Sequence, residues 1–201
     1  MRERPARGLD ELREVSKHLL YEMQMFGMTM TMLAAFEGID PEDARATMQN
    51  ALMESWALHA RNLLAFLYDD RPARDDAIAG DFIQGWREKR GPKAALLGLA
   101  QAKTSKEMAH LSYVRAQLTE DERQWHHAPM IVELGKPLHL FVDEVSEGVV
   151  TEGFHERARG ALPLRDATLD LHGLEVVAGA TQSLMAYGGG GIQSRPDPSD
   201  D

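Results

Sequence analysis

Residues 54–68 read ESWALHARNLLAFLY, an apolar run into which His59, Arg61 and Asn62 are set within four positions. Leu52, Trp56, His59, Leu63 and Phe66 recur at spacings of three and four, the period of one helix face. The run is therefore a helix whose core stripe includes a histidine. Arg61 lies two residues round from that stripe, on the side of Glu54, Leu58, Ala65 and Tyr68, and Asn62 sits near the border. Polar groups cost free energy when buried unless they are hydrogen-bonded or paired. The stretch thus poses a choice between a structural staple and a site.

Punctuation on the N-terminal side confirms the helix. In EGIDPEDARATMQ, Gly38 can close a preceding helix, Asp40 can cap the next and Pro41 fits its first position. The preceding helix is expected over 10–36, with Leu19, Leu20, Met23, Phe26, Met30 and Leu33 on its core face. Met25, Met28 and Met32 fill much of its other side, which suits a central helix or an interface. Gly27, at its middle, fits the close approach of a neighbouring helix.

Beyond Tyr68, YDDRPARDDAIAGD reads as a polar loop and DFIQGWREKRG as a short helix. A third long helix is expected over 93–118, carrying Leu96, Leu97, Ala100, Thr104, Met108 and Leu111 on one face. A fourth helical segment, APMIVELGKPLHLFVDEVSEGVVTEG, contains Gly135 and Pro137, which should kink or split it. Later, TLDLHGLEVVA hints at a short strand and YGGGGIQSRPDPSDD reads as a flexible acidic tail. The expected organisation is a disordered lead over 1–9, an all-α up-and-down four-helix bundle over 10–160 and a weakly structured tail over 161–201.

Composition limits the functions. Acidic residues outnumber basic ones by 32 to 22, a formal charge of −10. That balance argues against broad adhesion to DNA or to an anionic membrane, although a local basic patch remains possible. Arg87, Lys89, Arg90 and Lys93 form one such cluster, within reach of a phosphate backbone. There is no cysteine, hence no disulfide or thiolate metal site. No signal peptide or spanning segment is evident, so a cytoplasmic protein is expected. The sequence carries no dinucleotide signature, phosphate loop or HExxH spacing, and neither a cofactor nor a metal is expected; the His126-His127 pair lacks a partner at metal-ligand spacing.

The third helix adds a second polar group. SKEMAHLSYVR sets Lys106 and His110 four residues apart on one face, with Arg115 five residues further on. Packed antiparallel against the second helix, it would bring His110 toward His59 and Asn62. His, Arg, Asn and Lys converging in a groove can hold a phosphate, with histidine as acid or base. Equally, Arg61 can pair with Glu54 and the whole group can be glue that fixes one packing arrangement.

These blocks carry a resemblance. The chain resembles a group of small bacterial helical proteins with no assigned role, whose pattern is an acidic residue before HxRNLxxFF, then DF…W, then KxxAHLxxxR. The matches are Glu54 with HARNLLAFL, DFIQGW at Asp81–Trp86 and KEMAHLSYVR at Lys106–Arg115, covering roughly residues 45–145. The AHL block is also similar to the end of the HEPN-domain motif, in which an Arg precedes a His by four to six residues. Members of that family are helical bundles, often dimeric, and active ones cleave RNA at the dimer cleft in toxin or phage-defence roles. Here Ser105 and Lys106 stand where that Arg and the residue after it would be. The resemblance therefore implies a composite site, with His110, Arg61 and Lys106 in catalytic places and His59, Asn62, Arg115 and Glu54 binding. It further implies a homodimer with RNA at a local groove. The alternative is a non-catalytic interaction or scaffold module in which the same residues are structural.

Overall fold

The computed structural model describes residues 4–35, 42–104, 119 and 127–163. Among these residues the fold is all-helical, with seven α-helices, one 3-10 turn and no strand. The helices are α1 (Leu9–Ala35), α2 (Glu42–Tyr68), α3 (Ala79–Phe82), α4 (Trp86–Arg90), α5 (Ala95–Lys103), α6 (His127–Glu144) and α7 (Phe154–Ala161), with the 3-10 turn at Glu147–Val149.

The α1–α2 hairpin is the largest contact in the fold. Glu22 meets His59, and four residues further along α1 Phe26 stacks on Trp56, three residues earlier on α2. The two helices therefore run antiparallel. The expected core stripes face the interior: Leu19, Leu20, Met23, Phe26 and Met30 on α1 are buried and Leu33 partly so, and Leu52, Trp56, His59, Leu63 and Phe66 on α2 are buried. The opposite side of α1 is not. Met28 and Met32 are exposed, so the methionine-rich surface divides into a buried stripe and an open one.

Helix α7 covers the other flank of α1. Gly27 makes that possible, because a Cβ there would collide with the Ala161 carbonyl oxygen at the end of α7. Ser16, fully buried on α1, donates to the Arg13 carbonyl and accepts from the Thr151 amide at 2.7 Å, which ties the approach to α7 onto α1.

DFIQGWREKRG forms two short helices rather than one, because Gly85 takes a left-handed conformation (φ +70°) between them. This bend drives Phe82 and Trp86 toward the core. Phe141 of α6 lies at the centre of an aromatic cluster, with edge contacts to Phe66, Phe82, Trp86 and Phe154 at centroid distances of 5.0, 5.8, 5.7 and 6.5 Å. Trp86 Nε1 donates to the Leu67 carbonyl at 2.9 Å, so its one polar atom is satisfied.

The expected split at Gly135 and Pro137 does not occur. Helix α6 runs without a break from His127 to Glu144 with Pro137 inside it. Proline removes one backbone bond, but Leu134, Leu138, Phe141 and Val142 around it are all buried, and this packing holds the helix together. The helix ends at Glu144, and the 3-10 turn and left-handed Gly153 (φ +70°) lead into α7. His139 donates through Nε2 to the Pro163 carbonyl at 2.7 Å, which anchors the chain after α7. The third expected helix appears as α5, with Leu97, Ala100 and Thr104 buried; residues 105–118 lie outside the described residues. The strand hint and acidic tail also fall outside them.

Residues 4–8 lie against the 69–78 loop. Arg4 reaches both carboxylate oxygens of Asp81, at 3.2 and 3.4 Å, and also donates to the Asp76 carbonyl. Arg7 donates to the Arg74 carbonyl at 2.6 Å.

Candidate functional site

His59 is the only one of the candidate site residues that is buried among those described. Its Nδ1 donates to Glu22 Oε2 at 2.7 Å, across the α1–α2 interface. The same carboxylate oxygen accepts from Asn62 Nδ2 at 3.2 Å. Tyr21 sets its ring edge-on to the imidazole, with centroids 5.7 Å apart. The histidine side chain is 8% exposed and its Glu22 partner 23%, so water reaches the rim of the group but scarcely the ring. His59 Nε2 makes no hydrogen bond among the described residues. The imidazole is thus held by a carboxylate at the edge of the interface and meets no second candidate residue there.

Arg61 and Glu54 are exposed on the outer side of α2. Two residues along a helix turn the side chain by about 200°, so the Arg61 guanidinium and the His59 ring leave α2 in nearly opposite directions. Neither Arg61 nor Glu54 makes an ion pair or hydrogen bond with another described residue, so the expected Glu54–Arg61 pair is not formed. The structure thus joins His59 and Asn62 to each other through Glu22 and leaves Arg61 and Glu54 apart from them. Lys106, His110 and Arg115 lie outside the described residues, as does His126.

Glu22 is the residue that the sequence reading missed. It is a lone acid next to Met23 in an apolar stretch of α1, and it could have been flagged on that ground. What a linear reading lacks is the antiparallel register that places it against His59.

The basic cluster over 87–93 is internally satisfied. Asp70 takes both Arg87, at 3.5 Å, and Arg90, at 3.1 Å; Glu144 takes Lys89; Gln101 accepts from Lys93 at 2.6 Å. Arg90 also lies over the Tyr68 ring, 4.5 Å from its centroid, with Lys93 at 5.4 Å. Burial pushes the Tyr68 phenol above its ordinary range, with the Arg90 guanidinium pulling the other way. The cluster is thus a latch between the ends of α2, α4 and α5.

An open polar hollow of about 920 Å³ lies between the start of α1 and the start of α7. Arg13, Lys17 and Glu152 are among its lining residues, and none of the sequence-derived candidates is. Acidic residues outnumber basic ones in its lining, and the cations on α1 are held: Lys17 bonds Glu14 at 2.5 Å and Arg13 donates to the Gly148 carbonyl at 3.1 Å. Among the described residues no group of three or more His, Asp or Glu is placed to hold a metal ion, and no helix is long and apolar enough to cross a membrane.

No protein-family model, curated protein or solved structure matches the chain. The functional reading therefore rests on the geometry of the chain itself.

Proposed function

We propose that this chain is a non-catalytic helical interaction module. In this reading α1, α2, α5 and α6 are the four members of an up-and-down bundle of the HEPN-like kind, and the polar group on α2 is structural. The observation that carries it is the division of that group. His59 is held against Glu22 between two helices, whereas Arg61, expected with it around one groove, faces away into solvent. Groups that share one phosphate must converge on it, and these two diverge.

The working surface is then the outside of the α1–α2 hairpin. Of the seven exposed large apolar side chains among the described residues, six are on this hairpin: Leu9, Tyr21, Met28, Met32, Met48 and Leu58. Exposed methionine and tyrosine offer adaptable contact area at low cost in order, as protein-binding surfaces require.

The test is the pair of substitutions His59→Ala and Arg61→Ala. Removing His59 takes away the shorter of the two bonds to Glu22 and empties a buried position of the α1–α2 interface, and is expected to lower stability by about 1–3 kcal/mol. Arg61→Ala is expected to leave stability unchanged. Urea titration of both variants measures this. The reading fails if the wild-type protein cleaves an RNA panel and His110→Ala abolishes the cleavage while leaving helicity and melting intact.

A further inference from the structure

The outer face of α2 has a symmetry that names its partner. Ala51, Glu54, Leu58, Arg61 and Ala65 recur at alternating steps of three and four residues, opposite the buried stripe. Leu58 is the midpoint of this seam and is 50% exposed. Ala51 and Ala65 stand seven residues to either side of it, and Glu54 and Arg61 stand four before and three after. Glu54 and Arg61 are both exposed, opposite in charge and unpaired among the described residues.

We propose that a second copy of this chain docks here, with α2 antiparallel to its counterpart about a two-fold axis at Leu58. This rests on the interaction-module reading and specifies its partner. Two-fold contacts are isologous, so each surface must complement itself. At about 1.5 Å per residue, Glu54 lies about 6 Å before the axis and Arg61 about 4.5 Å after it. Reversal in the partner therefore brings each glutamate level with an arginine, and the contact contains two equivalent ion pairs flanking a Leu58–Leu58 centre. Ala51 falls level with Ala65 of the other copy, and small side chains at both ends let the helices approach closely. A seam of this length is small against the roughly 800 Å² per partner of a stable interface. Tyr21, Met28 and Met32, on the exposed face of the adjoining α1, supply the further apolar area. An unrelated partner would not require the seam to be complementary to its own reverse.

Sedimentation equilibrium of the full-length chain tests the proposal, with circular dichroism and melting as the check on folding. The wild type is expected to be dimeric in the micromolar range. Glu54→Arg puts only cations at the paired positions and Arg61→Glu puts only anions there, so each variant alone is expected to dissociate with a Kd raised about tenfold or more. Mixing the two single variants is expected to restore the dimer as a heterodimer, and the double variant Glu54→Arg/Arg61→Glu to restore it by itself. Both substituted positions are exposed, so melting should not change. A wild type that stays monomeric, or dimers unaffected by either reversal, overturns the proposal; so does a monomer whose outer face binds a different protein. Those outcomes leave the non-catalytic reading standing. RNA cleavage that depends on His110 would remove that reading whatever the oligomeric state.

Discussion

A buried polar residue on an apolar helix face is decided by its partner, and His59 and Tyr68 show two ways in which this works. His59 could be assigned to the core stripe from spacing alone. Its acceptor Glu22 could not, because the two are 37 residues apart in sequence and meet only through the hairpin register. The sequence offered Glu54 for Arg61 instead, and these two side chains do not pair with each other or with any other described residue, because both point to solvent. Tyr68 illustrates a group whose surroundings shift its titration. Burial favours the neutral phenol more than the nearby Arg90 favours the phenolate. Its folded-state pKa is therefore above the unfolded value, and the stability it contributes is complete below about pH 10, the ordinary tyrosine value. That contribution is lost as pH rises through the folded-state pKa. Between pH 9 and 11, unfolding free energy is expected to fall more steeply in the wild type than in Tyr68→Phe. Parallel curves for the two proteins would show that the phenol is not coupled to folding.

Helices were the most legible elements, and their limits show what periodicity does and does not encode. The long stripes of α1 and α2, at spacings of three and four, could be read directly, while the punctuation expected at Gly38, Asp40 and Pro41 lies outside the described residues. Helix α7 has the same kind of stripe, Phe154, Ala158 and Ala161, all buried, but it is only eight residues long and begins where the fourth expected segment ends, at Gly153. Pro137 does not split α6, because the loss of one backbone bond is outweighed by four buried neighbours. Gly27 was legible as a point of close approach, and the structure supplies the approaching group, the Ala161 carbonyl. Backbone cannot move aside as a flexible side chain can. Gly27→Ala should therefore separate α1 from α7 despite alanine's better helix propensity, which alone would add about 1 kcal/mol of stability. The expected net effect is a loss of about 1–3 kcal/mol, as for other overpacked positions, with a fall in melting temperature. A higher melting temperature for the variant would mean that the helices part without cost.

How the pieces combine depends on whether the hairpin and the α6–α7 segment share one core. The strongest indication is Phe141, fully buried on α6, whose ring meets Phe66 of α2, Phe82 of α3, Trp86 of α4 and Phe154 of α7. One side chain thus connects five helices, while Gly27 and Ser16 close the remaining edge between α1 and α7. A core joined in this way should not come apart in halves. Phe141→Ala is expected to cost about 3–5 kcal/mol, the usual range for removing a buried phenylalanine. Against a total of about 5–15 kcal/mol for a domain, that loss would bring the variant near its unfolding threshold at physiological temperature. Phe141→Leu keeps most of the apolar volume but loses the edge contacts, and should cost clearly less than Phe141→Ala. Unfolding in urea, followed by tryptophan fluorescence and by helical circular dichroism, should give coincident transitions for wild type and both variants. If Phe141→Ala instead loses the fluorescence transition early while most helicity persists to higher urea, then α1–α2 holds together without the aromatic cluster, and the core is two units and not one.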